Sequence, residues 1–548
     1  MLSLVLHGHF YQPPRDNPFL DFVEMEESAA PFHDWNQRIE RECYRAVTAA
    51  RLTGRGGRIS RIVNTLEWIS FDVGPTLLEW MEREAPGTYA AILHADRASV
   101  ARLDGHGNAI AQPYHHTILP LASRRDKLTE VRWGIADFRR RFGREPEGMW
   151  LPETAVDDET LDVLAECGIG FTIVAPHQVV KPPPRGLPGL YRTRAGRKIA
   201  LCVYDGDLSH RIAFGGALHD AMAWVAYMRS FAHAPDGERV LAAATDGETY
   251  GHHHKFGEMA LARAIEEMRR AGTRIENFAA LLARTGMPST EVGLVEPTSW
   301  SCAHGVERWR ADCGCRMDPN NGSSQAWRAP LRAALEHLAR GLHEVYARDA
   351  VHLMDDPWAA RDAYGAVVGT VDDESRRRCV ERLVREPLTL DQLVRARELL
   401  EMERDALRMF TSCAWFFDDV AGIEARQVLR YAAHAITLAG ADGPRLESAF
   451  LDLLVRAVSN DPTQGTARDV YLRYAKPTIP AAARVAAAAF AMTAVDPTQR
   501  HRFPVAEVEV AGSRVRVLER RTGRTSEYEA RLLRRTATAV DVELIGVD

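Results

Sequence analysis

Long apolar runs are missing from this sequence: no stretch reaches the roughly 18 apolar residues that a membrane-spanning helix needs. Even "IPAAARVAAAAFAMTAV" is mostly alanine and carries an arginine. The apolar run in "MLSLVLHGHF" stops at His7 with no basic residue ahead of it, too short for a signal-peptide core, so a cytoplasmic setting is expected. Cysteine is scarce, eight residues spread thinly along the chain, which suits reduced thiols rather than a disulfide framework. A positive excess is missing too. Lys and Arg total 69 against 75 Asp and Glu, a formal charge of −6, and no basic stripe is interleaved with aromatics, so nucleic acid is not an expected partner.

What is present is the balance of an ordinary globular protein, 46% apolar and 26% charged. At 548 residues the chain exceeds what one hydrophobic core supports, so two or more domains are expected. Up to about residue 300, short apolar runs ("LSLVL", "GMWL", "FTIVA", "IALCVY", "VLAAAT") alternate with stretches whose apolar residues recur at i, i+3 and i+4. That alternation predicts a parallel sheet with crossover helices. In a parallel barrel, reactive residues sit just past the C-terminal strand ends, where this sequence has His7, Glu153, Asp205 and Asp246. From about 323 to 497 the pattern is helical, predicting a bundle. From about 503 polar and apolar residues alternate around Gly-containing turns, predicting a small antiparallel β appendage. The expected domains are therefore 1–310, 311–500 and 501–548.

Two stretches carry the chemistry. In "GMWLPETAVDDETLDVL" a short strand ends at Glu153; in "LAAATDGETYGHHH" a buried strand ends before Asp246 and Glu248, two residues apart, which face the same way if extended geometry persists. Two carboxylates from separate strand ends are what glycoside hydrolysis needs, one to attack or stabilise the anomeric carbon and one to protonate the leaving oxygen. Asp-Gly is equally a turn element, and a lone Glu at a strand end is often only a polar loop residue.

"HGHFYQPP", "QPYHHTILPL", "GMWLPE", "TDGETYG" and "SWSCAHGVERW" occur in the order and rough spacing of five regions of glycoside hydrolase family 57, which this part of the chain resembles over about residues 1 to 310. That family holds α-glucan-acting amylases, 4-α-glucanotransferases and branching enzymes. The resemblance implies an incomplete parallel (β/α)7 TIM-like barrel followed by helices, and retention of anomeric configuration with Glu153 as nucleophile and Asp246 as acid/base. Retention in turn implies carboxyl groups roughly 5 to 5.5 Å apart. It also implies substrate contacts from His7 and His9, although Phe10 and Tyr11 stand before Gln12-Pro13 where the amylase-type pattern runs directly from His to Gln-Pro. Trp150, Glu248, His252, His253, Trp300 and Trp309 complete the expected substrate-binding set. Position 253 is His where the branching-enzyme pattern has Trp. The helical part, around "MFTSCAWFFDDVAGIEARQVLRYAAHAI", and the β tail resemble a C-terminal region of unknown function fused to some family members.

Other readings weigh against these. His7-x-His9, Asp246 and the histidines from His252 to His254 could be scattered ligands of a metal-dependent deacetylase or mannosidase, but position 9 is His where those families carry Asp. Cys302, His304, Cys313 and Cys315 offer soft ligands at spacings unlike a zinc knuckle, and are read as neighbouring reduced thiols; no metal or cofactor is expected. "DGDLSH" and "WFFDD" could line a sugar site or serve as cap and core. A non-catalytic carbohydrate-binding barrel is the remaining alternative. An α-glucan oligosaccharide or polysaccharide is the expected substrate, and the oligomeric state is left open.

Overall fold

The structure, a computed structural model, describes residues 2–233, 238–370, 372–498, 502–536 and 539–547. Two compact units divide the chain: Met1–Pro14 with Met25–Arg308, and Arg15–Glu24 with Trp309–Asp548.

Unit one is mixed α/β, built around β1 (Leu2–Phe10), whose nine residues are all buried. β1 pairs in parallel with β2 (Ser70–Val73) on one side and β5 (Arg239–Asp246) on the other. β3 (Phe171–Val174) and β4 (Lys198–Val203) form a second parallel pair. Residues 109–111 and 148–150 join the two sets through single bridges, Phe71 to Ala109, Ala111 to Met149 and Gly148 to Phe171. The hydrogen bond from Asp205 N to Ala242 O, 2.8 Å, links the end of β4 back to β5. Among the described residues, seven parallel segments thus follow one another in a ring, and Arg274–Ile275 adds a short parallel pairing to the start of β1. "GMWL", expected as a strand, contributes only bridges, because its neighbours pair with it for one residue each before the chain turns at Pro152.

Period-two alternation decides what fills the ring. Val5, Ile110, Trp150, Phe171, Ile173, Ala200, Cys202, Val240, Ala242 and Ala244 form one core cluster, with small residues on β4 and β5 opposite large ones on the facing segments. The same phase along β1 carries His7 and His9 after Val5, and along β5 carries Asp246 after Ala244. The interior face therefore ends in polar groups at the C-terminal rim.

The helices of unit one begin and stop where the sequence signals. In α1 (Arg124–Phe142), Ser123 accepts from Asp126 N, Arg139 to Arg141 lie in the last turn, and Gly143 (φ 69°) ends the helix in the left-handed region. In α2 (Asp158–Glu166), Asp157 accepts from Thr160 N at 2.8 Å. α3 (Gly257–Arg270) buries an Ala, Leu, Ile and Met face.

Unit two holds α4 (Arg328–Ala350), α5 (Leu390–Arg408), α6 (Ile423–Leu438), α7 (Gly443–Leu454) and α8 (Ala481–Val495). α5 buries charged residues in pairs: Glu403 with Arg361 (2.7 Å), Glu401 with Arg404 (3.2 Å), and Arg408 with both Asp405 (2.5 Å) and Asp16 (2.9 Å). The antiparallel meander β6 (Ala506–Ala511), β7 (Arg514–Glu519), β8 (Thr525–Arg535) and β9 (Val540–Val547) shares a core with α8 through Ala482, Val485, Ala486, Val515, Val517 and Ala530. No helix among the described residues is long and apolar enough to cross a membrane.

Candidate active site

Strand register alone brings the first three polar groups together. His9 of β1 lies level with Asp72 of β2 and Asp246 of β5. His9 Nδ1 is 2.8 Å from Asp72 Oδ2 and its Nε2 is 3.1 Å from His116 Nε2. His7 reaches Asp72 Oδ1 through Nε2 (3.1 Å) and Ser70 Oγ through Nδ1 (3.0 Å). Burial alone would lower the His9 pKa, but the charge and hydrogen bond of Asp72, helped by Asp246 and Glu248, outweigh it and raise it to about 9. Burial raises the carboxyl of Asp72 less than His9 and His7 lower it, so it is held below its ordinary value. Burial pushes His7 down despite Asp72, and burial with the His9 charge pushes His116 well down.

The raised His9 pKa favours one proton arrangement among those the contacts allow. Asp72 can only accept, so His7 carries its proton on Nε2 and accepts from the Ser70 hydroxyl at Nδ1. His9 is an imidazolium that donates to Asp72 and to the lone pair of neutral His116. Both histidines stack on Trp150, at centroid separations of 4.9 and 5.0 Å. Trp150 is fully buried and His7 is 1% exposed. Neither has a face for a sugar, so the expectation of substrate contact is corrected for both: they form the floor beneath His9.

Glu153 sits not on a strand but in the tight turn Pro152–Thr154, with φ 57°, and Thr154 follows at 49°. Two consecutive non-glycine residues in the left-handed region cost on the order of 1–3 kcal/mol each, which surrounding contacts must offset. The half-buried Glu153 carboxylate is held from one side: Ser301 Oγ donates to Oε2 at 2.6 Å and the Trp300 indole N–H donates to the same oxygen at 3.1 Å. Trp300 N also donates to Glu153 O, 3.0 Å, tying the two turns together.

Asp246 ends β5 and is exposed to solvent at the rim. Protein crowded around it and the charges of Glu153 and Asp72 raise its pKa to about 6, with His9 opposing. Solvent access tempers the first cause; the like charges act regardless. Glu248 is 6% exposed and accepts from Tyr44 Oη (2.5 Å) and Tyr11 N (3.1 Å). Burial and the Asp246 charge raise it to about 7. A π-bulge at Glu40–Tyr44 turns Tyr44 inward to make that bond. Asp246 and Glu248 do not share a face as an extended chain would give, because the chain enters a tight turn at Gly247–Tyr250.

The remaining expected residues divide. Half-buried Trp300 packs edge-on against Trp150 (5.1 Å) and His9 (6.4 Å) beside Glu153. His252 pairs with Glu42 at 2.5 Å and meets the edge of Trp35, and His253 is exposed next to it. Trp309 is fully buried and has no free face for a sugar. Asp205 is the N-cap of the helix Gly206–Ala213, accepting from Leu208 N. In "WFFDD", Trp415 is fully buried, Asp418 accepts from Met317 N and Asn321 Nδ2, and Asp419 accepts from Ser459 Oγ and Asn460 N; these are core and loop anchors. Asp72, His116, Ser301 and Tyr44 also take part and are not among the residues expected from the sequence. An aspartate inside the apolar "SFDVG" and the histidines of "QPYHHTILPL" were the available signals.

The family model for glycosyl hydrolase family 57 matches residues 13–289, just over half of the chain, and a domain of unknown function (DUF3536) matches residues 324–541. A protein named alpha-amylase 1 from Dictyoglomus thermophilum is 26% identical over 179 residues, 32% of this chain and 24% of its own length. A 4-alpha-glucanotransferase from Thermococcus litoralis is 25% identical over 184 residues, 32% of this chain and 26% of its own. The chain thus spans about a quarter of the length of these curated relatives. The crystal structure of an exo-type maltose-forming amylase from Pyrococcus sp. ST04 has the same fold, with a TM-score of 0.64 at 15% identity over 87% of this chain and 89% of that one. On the strength of that family match, whose span contains both Glu153 and Asp246, the chain belongs to glycosyl hydrolase family 57.

Proposed function

We propose that unit one cleaves the glycosidic bonds of an α-glucan with retention, through a glycosyl–enzyme intermediate on Glu153, with Asp246 as acid and then base. The ring of seven parallel segments is read as the family's incomplete (β/α)7 barrel within residues 1–310, followed by the helical region 311–500 and the β appendage 501–548. The observation that carries the reading is the contrast between the surroundings of the two carboxylates. Glu153 accepts two hydrogen bonds on Oε2, while the protein crowded around Asp246, with the charges of Glu153 and Asp72, raises the Asp246 pKa to about 6. A non-catalytic binding barrel has no physical need for that opposition.

In the first step a Glu153 oxygen donates an electron pair to the anomeric carbon. The bond to the glycosidic oxygen breaks, its electron pair stays on that oxygen, and the Asp246 proton moves to it. In the second step Asp246, now an anion, takes a proton from water or a sugar hydroxyl whose oxygen attacks the anomeric carbon, and Glu153 leaves. The His9 imidazolium donates through both ring nitrogens, so it acts as a fixed positive charge that stabilises the Asp246 anion between steps.

Incubation with maltoheptaose tests the reading. Shorter products alone report hydrolysis, and a ladder of longer and shorter chains reports transfer; either supports the two-carboxylate chemistry provided that Glu153→Gln abolishes it. Intact maltoheptaose, or full turnover by Glu153→Gln, overturns it.

A further inference from the structure

We propose that the loop from Cys302 to Cys315 is a structural zinc site with Cys302, His304, Cys313 and Cys315 as its four ligands. The ligating atoms of these residues all lie within 4.8 Å of one another. A tetrahedral zinc with Zn–S bonds of about 2.3 Å sets its ligand atoms roughly 3.8 Å apart, so closure onto the ion needs a contraction of about 1 Å. On this proposal the stretch is a ligand set rather than thiols that are neighbours by chance. The spacing, Cys-x-His and then Cys-x-Cys, departs from a knuckle, yet the loop brings the two halves to one point.

The backbone explains how. Gly305 follows His304 and Gly314 separates Cys313 from Cys315, and both sit in the left-handed region, at φ 81° and 80°. These two turns let a stretch of 14 residues fold back on itself with its ligands facing inward. A Cβ on Gly305 would lie 2.5 Å from the Pro297 carbonyl oxygen, so the first turn is pressed against the chain that precedes it. Ser299 Oγ donates to Gly305 O at 2.7 Å and holds it there. Arg308 Nη1 donates to Ser301 O, 3.1 Å.

All eight cysteines are thiols rather than disulfides. Binding exchanges the three thiol protons for the ion: three S–H bonds break, three protons go to solvent, and three Zn–S bonds and one Zn–N bond form. No oxidant or reductant is needed. The complex carries one net negative charge in a stretch that also contains Arg308 and Arg310 and is followed by Arg316. Four protein ligands close the coordination sphere, so the ion holds structure and leaves no position for substrate. What it holds is chemically placed: Trp300 and Ser301, the two residues immediately before Cys302, are the donors to Glu153 Oε2. The site stands whatever reaction unit one performs.

The full chain, expressed with zinc and dialysed against zinc-free buffer, should retain about one zinc per chain by elemental analysis. Cobalt in place of zinc should show sulfur-to-metal charge transfer and the strong visible bands of tetrahedral cobalt. Cys313→Ser with Cys315→Ser should lower zinc retention by about tenfold or more, while Cys167→Ser leaves it unchanged. His304→Ala should weaken retention and His304→Cys, which restores four ligands, should recover it with a fourth thiolate in the cobalt spectrum; that pair reads the site even if the double variant fails to fold. A reduced wild-type chain that holds no stoichiometric zinc, or a cobalt spectrum indifferent to Cys315→Ser, overturns the assignment.

Discussion

Asp246 and His9 titrate in opposite senses, and each sets a different pH dependence. In the proposed mechanism Asp246 must be protonated to release the leaving group, so kcat/KM should fall as pH rises through its pKa of about 6. Asp246→Asn should lower the rate by roughly 10²–10⁴ on substrates that need protonation and abolish that limb. Glu248→Gln should leave the limb in place, since its carboxylate is committed to Tyr44 and Tyr11. A limb that moves with Glu248 instead would transfer the acid role to it. For His9 the folded pKa of about 9 lies above the ordinary 6.5. The Asp72 pairing therefore contributes stability that is fully present below pH 6.5 and is lost as pH rises through 9. Asp72→Asn should lower Tm most near about pH 6, with the deficit narrowing by about pH 10. A deficit that is the same at both ends would show that His9 is not held as a cation.

At the scale of elements, packing rather than propensity decides one glycine. Gly134 lies inside α1, where Ala is ordinarily better by roughly 0.5–1 kcal/mol. A Cβ there would meet the Gln112 backbone oxygen at 2.0 Å. Gly134→Ala should therefore destabilise by about 1–3 kcal/mol, measured as a shift in the urea midpoint. An unchanged or raised midpoint would mean that α1 does not press on residues 112–113. The same scale shows what was legible in the sequence. The strand end near Asp246 and the caps Ser123 and Asp157 follow from local pattern, because period-two burial and capping chemistry act within a few residues, whereas β1 runs on past the expected end at His7 to Phe10 because its polar residues pair laterally. The Cys302–Cys315 convergence was not legible, because it depends on two left-handed glycine turns rather than on ligand spacing. Nor was the burial of Trp150 and Trp309, since an aromatic beside a catalytic motif reads alike as floor or as wall. Asp72 escaped for a related reason: its role exists only through lateral register with His9, which no single stretch displays.

At the scale of the molecule, the short segment Arg15–Glu24 belongs with unit two, far from it in sequence. Asp16 pairs with buried Arg408, and its carbonyl accepts from Gln427 Nε2 at 2.5 Å, while Asp21 pairs with Arg521 at 3.2 Å. Asp16→Asn should leave Arg408 with Asp405 alone and cost about 1–3 kcal/mol, seen by calorimetry as a lower Tm for unit two. A fragment covering 309–548 should be stabilised by a peptide of residues 15–24 added in trans, and no shift on adding it would detach the segment from that unit.

The central claim is that Glu153 attacks and Asp246 protonates and deprotonates. α-Maltosyl fluoride carries a leaving group that needs no proton, so Asp246→Asn should react with it once and then stall for want of a base. Mass spectrometry of that variant should find a maltosyl adduct on the peptide containing Glu153. An adduct on Glu248 or elsewhere, or no adduct in a variant that still turns the fluoride over, would contradict the account.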